Sequence, residues 1–121
     1  MSRIAARTPQ DVSRLIAERA ALGDVEGIAE LYEPGAVMAS PSGCVTVGRA
    51  AIRDAWSRRR RQGVAGEAAA PTVVRSGDIA VVSTPEPDAL GQTTHVVRLQ
   101  PDGAWLRVID QPARVENLDA A

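Results

Sequence analysis

The chain has 121 residues, with no Phe, one Tyr, two Trp, one His and one Cys, and its fourteen basic side chains, all Arg, face fifteen acids for a formal net charge of −1. That length suits a single domain, the near-balanced charge gives no footprint for nucleic acid, and the lone Cys44 excludes an internal disulfide and a cysteine-rich metal site. No run approaches the roughly eighteen apolar residues that a bilayer span requires, so no membrane partner is expected and the cytoplasm is the default location.

In chain order, Thr8, Pro9 and Asp11 form a helix-start signal, with Thr8 as the cap and Pro9 at the first helical position. Val12, Leu15, Ile16 and Arg19 follow at helical spacing, which predicts a first helix over 9–22, stopped by Gly23. Asp24 caps a second, shorter helix whose face is Val25, Ile28, Ala29 and Tyr32, ended by Pro34 and Gly35. Two short strands, 36–39 and 44–47, flank a turn over 40–43. Gly48 leads into a third helix in which Ile52, Ala55, Trp56 and Arg59 share a face and Asp54 can pair with Arg58, with Gln62 and Gly63 closing it. The run Arg58 to Arg61 at that helix end could meet a phosphate or carboxylate, though solvation and the helix dipole explain it more simply. The remainder reads as strands over 72–75, 79–84, 93–99 and 105–110, separated by turns and by a longer loop containing Glu86 and Asp88. Helices concentrated before strands argue for an α+β fold rather than an alternating one.

These segments carry a resemblance. Gly23-Asp24, Ile28-Ala29-Glu30-Leu31-Tyr32, Pro34-Gly35-Ala36-Val37, Pro41-Ser42-Gly43, Gly48-Arg49-Ala50-Ala51-Ile52 and Gln100-Pro101-Asp102-Gly103-Ala104-Trp105 together resemble the nuclear-transport-factor-two-like superfamily. The closer likeness is to its SnoaL-like members, which include polyketide cyclases, and to the related ketosteroid isomerases. The match runs over 8–112 as one SnoaL-like domain, leaving 1–7 and 113–121 as terminal extensions. What the resemblance implies is a cone: a strongly curved, mainly antiparallel sheet wrapped around three helices, with a small-molecule pocket and a homodimer formed through the outer face of the sheet. Neither a cofactor nor a metal is implied. In the isomerases the general base precedes the Pro-x-Gly turn, where this chain has Ser40; their helix-one tyrosine corresponds to Ile16, and their protonated strand aspartate corresponds to His95. The steroid isomerase reaction is therefore not expected.

The candidate chemistry rests on His95, the one imidazole, because it titrates near neutrality. As a strand residue it has three readings: a structural hydrogen-bonding group, a ligand contact, or an acid/base catalyst. Asp110 is its candidate partner if the closing hairpin brings the two to one face. A four-residue turn would do so, while a three-residue loop with a Gly103 bulge would put them on opposite faces. Val108 lies two residues before Asp110, and Tyr32, Ser40, Trp56, Val97 and Val108 are the expected ligand-lining residues. Glu67 and Glu86 are further titratable candidates; Arg75, Arg98 and Arg107 can alternate outward or reach across a dimer interface, and one of them buried in the pocket would favour an anionic substrate. Two functions follow: a cofactor-independent isomerase, cyclase or dehydratase acting by proton transfer on a small organic metabolite, or a noncatalytic protein that binds a lipophilic metabolite.

Overall fold

The computed structural model describes residues 3–40, 43–59, 70–85 and 92–111. The expected loop around Glu86 and Asp88, the candidate Glu67, Arg60 and Arg61, the stop at Gln62 and Gly63, and the C-terminal extension lie outside the described residues. In chain order the elements are α1 (Asp11–Ala21), α2 (Val25–Ala29), β1 (Tyr32–Ala39), β2 (Val45–Val47), α3 (Arg49–Arg59), β3 (Thr72–Ser76), β4 (Ile79–Pro85), β5 (Gln92–Leu99) and β6 (Trp105–Gln111). The strands form one sheet in the order β2-β1-β6-β5-β4-β3, in which β1 and β6 are parallel and every other pairing is antiparallel. The expected α+β architecture with a mainly antiparallel sheet is what forms. No helix among the described residues is long and apolar enough to cross a membrane.

Local chemistry places the helices, with three departures from expectation. Helix α1 begins at Asp11 because Thr8, Pro9 and Gln10 form a preceding turn closed by the Asp11 N–H on the Thr8 carbonyl. The Thr8 hydroxyl does not cap and is buried without a partner; instead the Asp11 carboxylate accepts from the backbone N–H groups of Arg7 and Thr8, both at 3.1 Å. Asp24 does cap α2, accepting from Gly27 N at 3.0 Å, and a Cβ on Gly27 would meet that carboxylate and the Arg3 guanidinium and displace the cap. Helix α2 stops at Ala29, and Tyr32 opens a strand instead of completing a helical face. Tertiary hydrogen bonds decide this: the Leu31 carbonyl accepts from Arg107 N at 2.7 Å, and the Tyr32 carbonyl accepts from both Nε and Nη2 of Arg49, at 3.0 and 2.6 Å. Asp54 pairs with its neighbour Arg53 at 2.8 Å rather than with Arg58.

The sheet is curved enough for Arg75, on the edge strand β3, to reach over the ring of Trp105 on β6, 4.9 Å from its centroid. Val12, Leu15 and Ile16 of α1, Ile28 of α2 and Ile52 of α3 are buried against the inner face, together with Met38, Ala80, Val82, Val97 and Trp105. Arg19, also buried, is satisfied by the carbonyls of Gly27 and Ile4, each at 2.6 Å, and so ties the N-terminal segment to the helices.

Leu15 is 3% exposed in this cluster. Leu15→Ala is expected to destabilise the fold by about 2 to 5 kcal/mol through lost burial and a residual cavity. Urea unfolding measures this, and a change under about 0.5 kcal/mol, the range of surface substitutions, would remove Leu15 from the core.

Candidate functional site

The decisive local feature is an extra residue in β6. The β5–β6 connection is the three-residue loop Pro101-Asp102-Gly103, closed by Gln100 N on Ala104 O at 2.7 Å and by Gly103 N on Gln100 O at 2.9 Å, with Gly103 at φ 89°. Continued regularly, that loop would place Asp110 on the face opposite His95, as the parity argument states. The ladder instead shifts: Val97 lies opposite Arg107, but Val96 lies opposite Ile109 and His95 opposite Asp110, leaving Val108 as the unmatched bulge residue. Residues 107 and 110, three apart and so on opposite faces of a regular strand, both turn inward and are buried. Asp110 thus shares its face with His95 and Arg107, and the two-residue alternation expected from Val108 to Asp110 is broken.

The site is a buried polar cluster on the inner face. The Tyr32 hydroxyl donates to Asp110 Oδ2 at 2.5 Å and accepts from Trp56 Nε1 at 3.1 Å. Arg107 Nη1 donates to the same Oδ2 at 3.2 Å and to the Tyr32 hydroxyl at 3.3 Å, while Nη2 donates to Ser13 Oγ on α1 at 2.9 Å. Arg107 Nε is buried with no partner. The other carboxylate oxygen, Oδ1, stands 3.0 Å from His95 Nδ1. That is ion-pair distance, yet the ring N–H points off the line between the atoms, so the contact is electrostatic rather than a well-formed hydrogen bond. Tyr32, His95, Arg107 and Asp110 are all buried, with Met38, Val82 and Val97 as apolar neighbours on this face.

Electrostatics gives each group a definite state. Burial works to raise the Asp110 pKa, but the Arg107 charge, the His95 contact and the Tyr32 hydroxyl outweigh it and hold the carboxyl well below its ordinary range. Burial, aided by the Asp110 charge, pushes the Tyr32 phenol up, so it stays protonated and donates. For Arg107 burial opposes the charge, while Asp110 and Tyr32 more than restore it. His95 is lowered from 6.5: burial is the main cause and Arg107 adds to it, against the opposing pull of Asp110. At neutral pH the cluster is an ionised Asp110–Arg107 pair beside a neutral imidazole.

The expected site residues divide. His95 and Asp110 come together, and Tyr32 and Trp56 join them through hydrogen bonds. Val97 is buried on the same face, whereas Val108 is the half-buried bulge residue. Ser40 closes the hairpin between β1 and β2, its Oγ accepting from Cys44 N at 3.1 Å. Of the three strand arginines, Arg98 is exposed and pairs with Glu33 at 3.1 Å, whereas Arg107 is the interior one, its charge already matched by Asp110. Ser13 and Arg49 also support the cluster; Arg49 lies in the Gly48-to-Ile52 segment that carries the resemblance, but neither residue was expected at the site.

Both titrating groups bind protons less readily when folded, so acid destabilises the chain on both accounts. The unfolded chain takes up a proton at His95 as pH falls below 6.5 and at Asp110 as it falls below 3.8, before the folded chain does in each case. Stability present at pH 7 is therefore lost progressively on acidification, the His95 share first. Urea midpoints between pH 7 and pH 5 are expected to fall more steeply for the parent than for His95→Gln; parallel curves would show that His95 is not held neutral.

No family model matches the chain, and no curated protein matches it. Solved structures do. A candidate dehydratase of the NTF2-like family from Streptomyces avermitilis is 19% identical, with a TM-score of 0.71 over 89% of this chain and 94% of that one. An NTF2-like protein with a cystatin-like fold from Novosphingobium aromaticivorans is 23% identical, with a TM-score of 0.66 over 92% and 82%. A ketosteroid isomerase-like protein from Erwinia carotovora is 15% identical, with a TM-score of 0.67 over 89% and 94%. With its six-stranded curved sheet and helices packed on the inner face, the chain has the cystatin-like fold of the NTF2-like proteins.

Proposed function

We propose that this chain is a cofactor-independent acid/base enzyme of the isomerase, cyclase or dehydratase kind, moving a proton on a small uncharged organic molecule held against the inner face of the sheet. The observation that carries the reading is a neutral imidazole beside an ionised carboxylate in an apolar setting, the arrangement a general base requires. No side chain among the described residues hydrogen-bonds His95 Nε2, and that nitrogen is the one assigned to the substrate. It takes the proton from a C–H bond activated by a neighbouring carbonyl, the electron pair moves onto the carbonyl oxygen, and the imidazolium returns the proton to complete the reaction. Asp110 stabilises the imidazolium, while burial, with Arg107 adding to it, limits that stabilisation and keeps the resting ring unprotonated at neutral pH. The Arg107 charge is matched by Asp110, so the cluster offers no free cation for an anionic substrate. Met38, Val82 and Val97 favour an apolar one. The dehydratase and isomerase descriptions of structural neighbours agree with this class of chemistry.

Replacing Asp110 by Asn removes an anion from beside the ring and leaves Arg107 unopposed, so the His95 pKa is expected to fall further. An NMR titration of the single His reads this directly. Proton transfer, followed as deuterium uptake from D2O at the activated C–H of small β-dicarbonyl compounds, is expected to drop by about 10²- to 10⁴-fold in the same variant. Uptake by the parent no faster than in buffer would overturn the enzyme reading. The noncatalytic metabolite-binding role would then be the better account.

The same reading includes a homodimer through the outer face of the sheet. Across that face Val47, Val37, Ile109, Val96, Val81 and Val74 lie opposite one another strand by strand, an unbroken row of β-branched side chains over all six strands. Val47 and Val74 are 65% and 66% exposed and Ile109 is 45% exposed, a continuous apolar surface of the sort that partner association buries. Sedimentation is expected to give twice the 12.7 kDa chain mass for the parent and a single chain for Ile109→Arg. A concentration-independent single-chain mass for the parent would defeat the dimer.

A further inference from the structure

The two oxygens of Asp110 do different jobs, and the division is built from outside β6. Oδ2 receives the Tyr32 hydroxyl at 2.5 Å and Arg107 Nη1 at 3.2 Å, whereas His95 Nδ1, at 3.0 Å, is the described partner of Oδ1. The two donors to Oδ2 are themselves held. Tyr32 is fixed by the double hydrogen bond from Arg49 to its carbonyl and by the Trp56 N–H on its hydroxyl, which ties it to α3 at two points. Arg107 is fixed by Ser13 of α1 and lies with its guanidinium carbon 5.5 Å over the Tyr32 ring. Rotating the carboxylate would break both contacts to Oδ2 inside a low-dielectric interior, where such charge-assisted bonds are strongest.

We propose that Tyr32 and Arg107 are positioning residues for His95 that act through Asp110: by occupying Oδ2 they hold Oδ1 against Nδ1, and so keep the imidazole in the tautomer that carries its proton on Nδ1 and its lone pair on Nε2. The inference deepens the acid/base reading and takes its catalytic meaning from it. Its physical basis is that Nδ1 is buried and has no other partner. A bare nitrogen lone pair facing an anionic oxygen at 3.0 Å is repulsive, whereas a proton between them is attractive even when the N–H is bent off the line. The proton is accordingly placed by the carboxylate, and the carboxylate by the tyrosine and the arginine. This gives the one tyrosine of the chain a task that excludes direct contact with substrate through its hydroxyl proton, which is already committed to Asp110.

The chain has a single His and a single Tyr, so the test needs no assignment strategy. Long-range proton–nitrogen correlation spectra of the ¹⁵N-labelled chain, recorded above the His95 titration, are expected to show Nδ1 protonated and Nε2 bare. Tyr32→Phe, checked for folding by circular dichroism, is expected to convert that single tautomer into a mixture. A parent ring protonated on Nε2, or an unchanged tautomer in folded Tyr32→Phe, overturns the proposal. Should the variant fail to fold, the parent alone still decides. Its Tyr32 hydroxyl proton is expected far downfield and should shift with the same pH midpoint as the His95 ring, because both report on one carboxylate; a hydroxyl signal indifferent to that titration refutes the link. These spectra require no turnover. The stated tautomer without deuterium exchange would sink the enzyme reading alone, and exchange with the opposite tautomer would sink the positioning role alone.

Discussion

A carboxylate and a guanidinium withdrawn from water on the inner face of a sheet set the terms for the rest of this structure. Neither ion is tolerated in such a place without partners, and removing one member of such a pair typically costs about 3 to 5 kcal/mol. Asp110 and Arg107 therefore recruit from every part of the chain: Ser13 from α1, Tyr32 from β1, Trp56 from α3 and His95 from β5. Even so, the Arg107 Nε hydrogen is left unmatched, a cost that apolar residues of similar size would not incur. A cluster this expensive is weak as an explanation of stability and stronger as an explanation of chemistry.

The cluster also sets two opposed influences on one imidazole. Asp110 favours the protonated ring, while burial and Arg107 favour the neutral one, and the balance falls on the neutral side. A base must be free to accept a proton before it can act, yet must hold that proton through the reaction. An ion pair beside the ring, rather than a lone carboxylate, meets the first need without abandoning the second. The apolar neighbours strengthen each of these interactions by keeping the local dielectric low.

Much of the architecture was legible in the residues. The helical spacing of Val12, Leu15 and Ile16, the cap at Asp24 and the loop at Pro101-Asp102-Gly103 act locally, and they place elements where local chemistry says they should be. Tyr32 was misplaced on a helix because its strand conformation comes from distant partners: Arg107 N on the preceding carbonyl and the Arg49 guanidinium on its own. The pairing of His95 with Asp110 was identifiable as a chemical possibility, but its geometry depends on the bulge at Val108, and Val-Ile-Asp carries no glycine or proline to mark an irregular strand. Arg107 escaped for the same reason. Counting by twos from Asp110 skips it, and an arginine on a strand is ordinarily a surface residue.

The β1–β6 pairing, the one parallel contact among the described strands, is also the seam between two halves of the chain. On one side lie the three helices with β1 and β2, and on the other the meander from β3 to β6. Tyr32 sits opposite Arg107 and Met38 opposite Asp110 along that seam, so Tyr32 meets partners 75 and 78 positions away in sequence. During synthesis the first half emerges with its β1 edge bare and its tyrosine hydroxyl proton without the Asp110 acceptor, and it stays so until the last strand arrives. Contacts of such long sequence separation form late and slowly, and an unpaired sheet edge in the interval invites pairing with the wrong chain. The residues that would carry the chemistry are thus also the ones whose meeting completes the fold, and a newborn chain acquires its site and its joined sheet in the same event.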